Sequence, residues 1–328
     1  MRVRLFTHIK DIDGIGCAII ARLSFEDITI SYHEIYDINQ AVKAFIDTKE
    51  YREYEMIYIT DLSISEELAG EINEITELKN KIIIFDHHIQ ALGLNEYCFA
   101  NVTIEDEKGL CSGTSLFYKY LCDNYSNEVL TKNSTSHFVE LVRQQDTWEW
   151  KTKYNNYDAR DIAWLFDKYG IDEFSEDMIK IISEKEEFEL PLNNIEYINS
   201  RIKLCEEYVE KRYSKLIRNK RCAIVFAENT YRNDIGEMIR ERYPNDYDIA
   251  VTIDTSRDGY IPISMRAAND DIDVYEFAKI YDGGGHKKAA AFKVCKDERY
   301  TDRFTDEQHI EYVFKTKNRL PRQRTGSQ

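Results

Sequence analysis

Aspartate and histidine recur at a few places in the first half of this 328-residue chain: His8, Asp11 and Asp13 in THIKDIDG, Asp61 in YITDLS, Asp86, His87 and His88 in FDHH, and Asp146 in RQQDTW. His8, Asp11, Asp13, Asp61, His87 and Asp146 together offer carboxylates and imidazoles with no thiol among them. Hard oxygen ligands with a minority of imidazole suit Mn²⁺, Mg²⁺, Fe²⁺ or Co²⁺ better than a zinc–thiolate site. That many carboxylates around a single ion would over-neutralise it, whereas two divalent ions sharing one carboxylate balance the charge. The shared position needs two oxygens, and Asp61, ending a central strand, is the choice for it. Ion pairs of this kind activate water and clamp charge developing on phosphorus, which makes phosphoester hydrolysis the expected chemistry.

These residues need elements that converge. Residues 3–7, 28–35, 56–60 (MIYIT) and 81–85 (KIIIF) read as strands, with helices at 15–23, 41–48 and 65–78 between them. Near-continuous apolar strands alternating with amphipathic helices predict a parallel sheet covered on both faces. Ligands of such sheets gather at the carboxyl ends of the strands. The first strand runs into His8, Asp11 and Asp13, MIYIT into Asp61, and KIIIF into Asp86, His87 and His88. One Asp at a strand end is an ordinary turn residue or helix cap; three strands delivering only Asp and His to one edge is a pattern. Residues 136–190 read as helical. There Asp146 follows Val142 by four positions, on the face of Phe138, Leu141 and Val142. A carboxylate on an inner face must bind metal or find a partner, and Arg143 or a tryptophan indole is the alternative partner.

Downstream, Ile195, Ile198, Ile202, Cys205 and Val209 have helical spacing over 195–218. A second α/β pattern follows, with strands at 221–226, 249–253 and 261–266, helices at 233–242 and 274–280, and then GGGHKKAAAF. The fold class expected is therefore α/β: an N-terminal parallel-sheet domain (1–190), a helical connector (191–220), a smaller C-terminal α/β domain (221–300) and a polar tail (301–328). Roughly 100–200 residues per domain agrees with two domains.

Composition narrows the class. The chain carries 44 basic and 60 acidic side chains, a formal net charge of -16. Such a chain repels long polyanions, so no duplex DNA partner is expected, while a small anion drawn to a local metal site remains compatible. Hydrophobic residues at 43% sustain a packed core, and the 13 Gly and 4 Pro exclude collagen-like or linker-like sequence. No apolar run approaches ~18 residues, so no membrane helix is expected, and the first segment is too short in apolar residues for a signal peptide. The 7 cysteines include no CxxC pair, which predicts reduced thiols and a cytoplasmic protein.

FTHIKDIDGIG, YITDLS, FDHH, RQQDTW and GGGHKKAAAF, in that order, resemble the DHH phosphoesterase superfamily, and within it the DHH/DHHA1 arrangement of the nano-RNase (oligoribonuclease)-like branch. The resemblance covers about residues 1–295. It implies an N-terminal DHH domain, a helical connector and a DHHA1 domain. It also implies that His8 and Asp11 hold one ion, that Asp13, His87 and Asp146 hold the other, and that Asp61 bridges them. Asp86 would orient the strand end and His87, and His88 would face the scissile phosphate as a catalytic donor. Arg266 in ISMRA, His286 and the backbone of Gly283, Gly284 and Gly285 would grip a substrate phosphate. The implied cofactors are two divalent ions, Mn²⁺ favoured with Mg²⁺ or Co²⁺ as substitutes. The implied activity is hydrolysis of short single-stranded oligonucleotides, about two to five nucleotides, to mononucleotides, in keeping with a surface that lacks a basic track for long strands. The rivals are a RecJ-like single-strand exonuclease, a cyclic or linear dinucleotide phosphodiesterase, a pyrophosphatase, and a non-catalytic nucleotide-binding module. Sequence leaves open RNA versus DNA preference, cleavage direction, oligomeric state and how Asp11 and Asp13 divide between the two ions. The usual glycine after GGGHxxAA is Ala291 here.

Three weaker features carry two readings each. Thr114 and Ser115 follow Gly113 at a helix start, as an anion site or a plain cap. Trp148, Trp150, Tyr154 and Tyr157 could stack a base or pack a core. Lys287 and Lys288 could meet a second phosphate or lie in solvent.

Overall fold

The computed structural model describes residues 1–269 and 271–315; the expected polar tail lies outside these from residue 316 onward. The chain divides into two compact units, Met1–Ile198 and a second beginning at Asn199.

In the first unit the order is β1 (Arg2–His8), α1 (Ile12–Ser24), β2 (Asp27–His33), α2 (Ile38–Asp47), β3 (Met56–Thr60), α3 (Glu66–Glu74), α4 (Thr76–Lys79), β4 (Ile82–Asp86) and β5 (Ala100–Val102). The five strands form one sheet in the order β2-β1-β3-β4-β5, and every pair is parallel. The near-continuous apolar strands are explained by burial on both faces. Ile57, Ile59, Ile82 and Ile84 pack with Val42, Phe45, Leu68 and Ile72 of the covering helices. Tyr58 and Phe85 point the other way, onto Phe117, with ring centroids 4.9 and 5.5 Å apart. Strand order reverses at β1, with β2 on one side and β3 on the other. The crevice such sheets use for ligands therefore opens between the carboxyl ends of β1 and β3.

A short hairpin, β6 (Glu105–Asp106) and β7 (Gly109–Leu110), leads into α5 (Gly113–Asn124), α6 (Asn133–Asp146) and α7 (Tyr157–Glu184), which pack with α1. The last of these bends at Gly170, whose φ is 71°. Two differences from the sequence reading are local. The helix expected over 65–78 breaks at Ile75, which is extended (φ -94°, ψ 91°), and β5 is too short to show a period.

In the second unit, α8 (Leu192–Glu210) begins before the division and is followed by β8 (Tyr213–Ile217), β9 (Lys220–Phe226), α9 (Arg232–Arg242), β10 (Ile249–Ile253), β11 (Tyr260–Ala267), α10 (Val274–Lys279), β12 (Gly284–Gly285), β13 (Ala289–Cys295) and α11 (Asp306–Lys315). The sheet order is β12-β13-β11-β10-β9-β8, with only β9 and β10 parallel. One face packs Ile224, Val251, Ile263, Phe277, Phe292 and Val313; the other packs Val209, Val225, Ile235 and Ile239. Two boundaries are corrected. The connector helix stops at Glu210, because YSKLI pairs with β9 as an edge strand rather than continuing the helix. The segment expected to be polar tail forms α11 over 306–315, with His309, Ile310, Tyr312 and Val313 buried. Its charged residues hid the apolar stripe at 310 and 313. Among the described residues no helix is long and apolar enough to cross a membrane.

Candidate metal centre

The carboxyl edge of the first sheet gathers the acidic residues by specific local devices. β1 ends at His8. Asp11 is the N-cap of α1 and accepts from the Gly14 N–H at 3.3 Å. Gly14 lies so close that a Cβ there would sit 2.2 Å from the His8 carbonyl oxygen. Asp13, in the first turn of α1, is fully buried. Its carboxylate accepts the Gly113 N–H at 2.6 Å and the Thr114 N–H at 2.9 Å, and Thr114 Oγ1 donates to the Asp13 carbonyl at 2.6 Å. The first N–H groups of α5 thus meet a carboxylate from α1, which the positive end of a helix favours. Asp61 leaves β3 in the left-handed region, φ 56°, a conformation Asp tolerates better than most residues. A Cβ on Gly113 would lie 2.8–2.9 Å from Asp61 backbone and side-chain atoms, so the glycine is required by that approach.

The side chains fall into two clusters that share Asp61. In one, His8 Nδ1 is 3.0 Å from Asp11 Oδ2 and 3.5 Å from Asp61 Oδ2. In the other, His87 Nε2 is 3.3 Å from Asp61 Oδ1, 3.4 Å from Asp146 Oδ2 and 3.7 Å from Asp13 Oδ2. Asp61 turns one oxygen to each cluster. The donor set suits hard divalent ions, and the two groups His8–Asp11–Asp61 and Asp13–His87–Asp146 are each compact enough to hold one. His8 Nδ1, Asp61 Oδ2, His87 Nε2 and Asp146 Oδ2 are all buried without a hydrogen-bond partner. Buried polar atoms are almost always satisfied, so this concentration of orphans is what a cation would resolve. The electrostatics agree. Burial and the neighbouring Asp13 charge push the Asp61 and Asp146 carboxyls well above the usual range. Burial opposes protonation of His8, but Asp11 and Asp61 outweigh it and raise the ring to about 10. A nearby cation would favour the charged form of both carboxyls.

Asp86 forms a further compact donor group with Asp61, His87 and His88 and organises the turn after β4. It accepts the His87 N–H at 2.7 Å, the His88 N–H at 3.2 Å and the Ser63 hydroxyl, and holds His88 Nδ1 at 2.7 Å. Burial would raise its pKa, yet the bonds from His88 and Ser63 hold it below the usual carboxylate range. The same hydrogen bond raises the half-exposed His88 ring above its ordinary value.

The alternative partners for Asp146 are excluded. Arg143 instead binds Glu140 at 2.7 Å, Glu149 at 2.5 Å and the Leu110 carbonyl at 2.8 Å, and Trp150 Nε1 has no partner. The anion-site reading of Thr114 and Ser115 is corrected. The Thr114 N–H is spent on Asp13, and Ser115 closes a capping box with Ser112. Glu34 was missed by the sequence reading. Its Oε2 lies 3.9 Å from His8 Nε2, a second buried atom without a hydrogen bond. The signal available was its position just past β2, whose His33 is in register with His8.

In the second unit, Arg266 Nε and Nη2 donate to Asn233 Oδ1 at 3.1 and 2.6 Å, and Nη1 to the Met265 carbonyl at 2.8 Å. Among the described residues no carboxylate pairs with it; burial, with Arg232 nearby, lowers it to about 10. The glycines mostly build a hairpin. Gly284 and Gly285 pair with Ala291 and Ala290, and Gly285 has φ 135°. The Gly283 N–H donates to the Ala278 carbonyl at 3.0 Å. Gly283 is therefore corrected as a backbone phosphate donor. His286 sits exposed at the tip, its own N–H bonded to the Ala289 carbonyl at 2.7 Å. Ala291 is exposed on β13 and pairs with Gly284, so its methyl is accommodated.

Residues 2–142 match the DHH family, N-terminal domain, and residues 219–308 match the DHHA1 domain. The chain is 33% identical over 303 residues to oligoribonuclease NrnB of Bacillus subtilis (strain 168), covering 90% of this chain and 73% of that protein. The pGpG-specific phosphodiesterase PggH from Vibrio cholerae superposes with a TM-score of 0.54 at 14% identity, over 90% of this chain and 94% of that one, and so shares the fold.

Proposed function

Because the chain belongs to the DHH family, with a DHHA1 domain following the DHH domain, we propose that it is a metal-dependent phosphodiesterase that hydrolyses short single-stranded oligonucleotides to mononucleotides. The observation that carries the reading is the pair of donor clusters sharing Asp61, with their unsatisfied buried atoms. The ions held there, Mn²⁺ by preference, would activate water and neutralise charge developing on phosphorus. His8 and Asp11 would hold one, Asp13, His87 and Asp146 the other, and Asp61 would reach both. Asp86 would fix the turn carrying His87. His88, tethered through Nδ1, would offer its exposed edge to a phosphate oxygen. The net charge of -16 favours short substrates over duplex DNA or long strands. The test is a panel with Mn²⁺ of RNA and DNA of about two, five and twenty nucleotides, linear and cyclic dinucleotides, and pyrophosphate, read by product mass. Preference for the twenty-nucleotide strands, or release of phosphate from pyrophosphate alone, would replace this reading.

Metal-ligating histidines commonly give their second nitrogen to a carboxylate, and Glu34 stands where it would do so for His8. Glu34→Ala should weaken the affinity of one ion, and not the other, by about 10- to 100-fold, as read by Mn²⁺ titration. In the second unit, the resemblance to DHHA1 domains makes Arg266 and His286 substrate residues, with the Gly284–Gly285 hairpin holding His286 out. Arg266→Ala or His286→Ala should lower kcat/KM by about 10- to 150-fold, the loss of one charge-assisted phosphate contact, with metal content unchanged. Loss of an ion in His286→Ala would move that residue into the metal centre instead.

A further inference from the structure

We infer that Trp148 stacks against a nucleobase of the substrate, a role that rests on the oligonucleotide reading of this site. α6 ends on Asp146, one of the candidate ligands, and Thr147 caps it. Trp148 occupies the next position with φ 62°. Helices commonly end with a left-handed residue there, and it is usually Gly or Asn. A bulky aromatic in that region is an outlier with an energetic cost, and such strain clusters at functional sites. The backbone holds Trp148 there firmly. Its N–H donates to the Gln145 carbonyl at 3.2 Å, and its own carbonyl accepts from the N–H groups of Lys151 and Thr152, both at 3.3 Å, and from Thr152 Oγ1 at 3.2 Å.

Packing does not account for the tryptophan. Trp150 is 2% exposed and meets Tyr157 edge-on at 5.5 Å, as a core residue does. Trp148 touches Trp150 only edge-on, at 5.3 Å and 67°, and remains 41% exposed. Of the four aromatics that the sequence grouped, Trp150 is the packing residue; Tyr154 and Tyr157 are exposed to a similar degree as Trp148, at 39% and 38%, but Trp148 alone adds to its exposure the left-handed backbone and a place two positions from Asp146. Charge supplies the complementary argument. A chain of net charge -16 holding a polyanion gains little from its overall field. Stacking on an aromatic face is indifferent to charge and to base identity.

The test compares kcat/KM for a 5′-phosphorylated diadenylate and for an analogue with one base removed, in wild type, Trp148→Ala, Trp148→Phe and Trp148→Gly. Trp148→Ala and Trp148→Gly should lose roughly 5- to 150-fold on the intact dinucleotide, mainly through KM, and Trp148→Phe much less. On the abasic analogue whose missing base is the stacked one, the variants and wild type should converge. Trp148→Gly relaxes the backbone, so it should melt no lower than wild type while still losing activity, which a purely structural role would not produce. Equal losses on intact and abasic substrates, or no loss in Trp148→Gly, would overturn the inference. If wild type hydrolyses no short oligonucleotide at all, the function proposed for the whole site fails with it.

Discussion

Asp61→Asn is expected to lose at least about 10³-fold in turnover of short oligonucleotides and, in a chelator, to melt at a higher temperature than the wild type. The loss follows from geometry. Asp61 turns Oδ1 to the His87 cluster and Oδ2 to the His8 cluster, and an amide keeps only one of those oxygens and replaces the other with a donor. Because such ligands act as a unit, adding a second ligand substitution should cost little more. The stability gain follows from the same burial. Asp61 is 2% exposed, and burial with the Asp13 and Asp11 charges outweighs the opposing His8 ring. An amide removes the repulsion and tolerates φ 56° at least as well. About 1–2 kcal/mol would raise the midpoint by roughly 2–8 °C in a unit of this size. Calorimetry with and without Mn²⁺ reads both halves, since the ion should reverse the order. Wild-type turnover in the variant would remove Asp61 from the shared position, and a lower midpoint in chelator would refute the account of its burial.

Exhaustive chelation should abolish activity in the wild type, and Mn²⁺ should restore it more effectively than Mg²⁺ at equal concentration. An ion that binds only the folded chain also stabilises it, by about 2.7 kcal/mol at a hundred times its dissociation constant. Activity and melting temperature should therefore rise together through one titration. Full activity after the metal content has fallen to zero by elemental analysis would end the two-ion reading.

Legibility in the sequence depended on how far apart the partners lie. His8, Asp11 and Asp13 were readable because a strand end and a helix cap fall within one short stretch, and Asp61 and His87 because each ends an apolar run. Asp146 is ambiguous in sequence because Arg143 is near it on the same helix; in the structure Arg143 pairs with Glu140 and Glu149. Glu34 was invisible, since only the parallel register of β1 and β2 brings it to His8. Thr114 and Ser115 misled because a helix start signals anion binding without saying which anion, and here it is Asp13 from the same chain. In the second unit, α11 was hidden by its charged residues and β8 by its apparent continuation of α8. The glycine run was noticed for its chemistry when most of its requirement is steric: a Cβ on Gly283 would fall 2.4 Å from the Ala291 carbonyl oxygen, and one on Gly285 2.5 Å from that of Ala289.

The parallel pairing of the first sheet sorts its connections onto two edges. Each strand-to-helix connection lies at the carboxyl edge with the acidic residues, and each helix-to-strand connection, at 25–26, 48–55 and 80–81, lies at the amino edge. A length change at the amino edge alters how a helix returns to its strand, while one after Asp86 would shift His87 against the other donors. Inserted or fused modules therefore have a place to enter at the amino edge, away from the donor clusters.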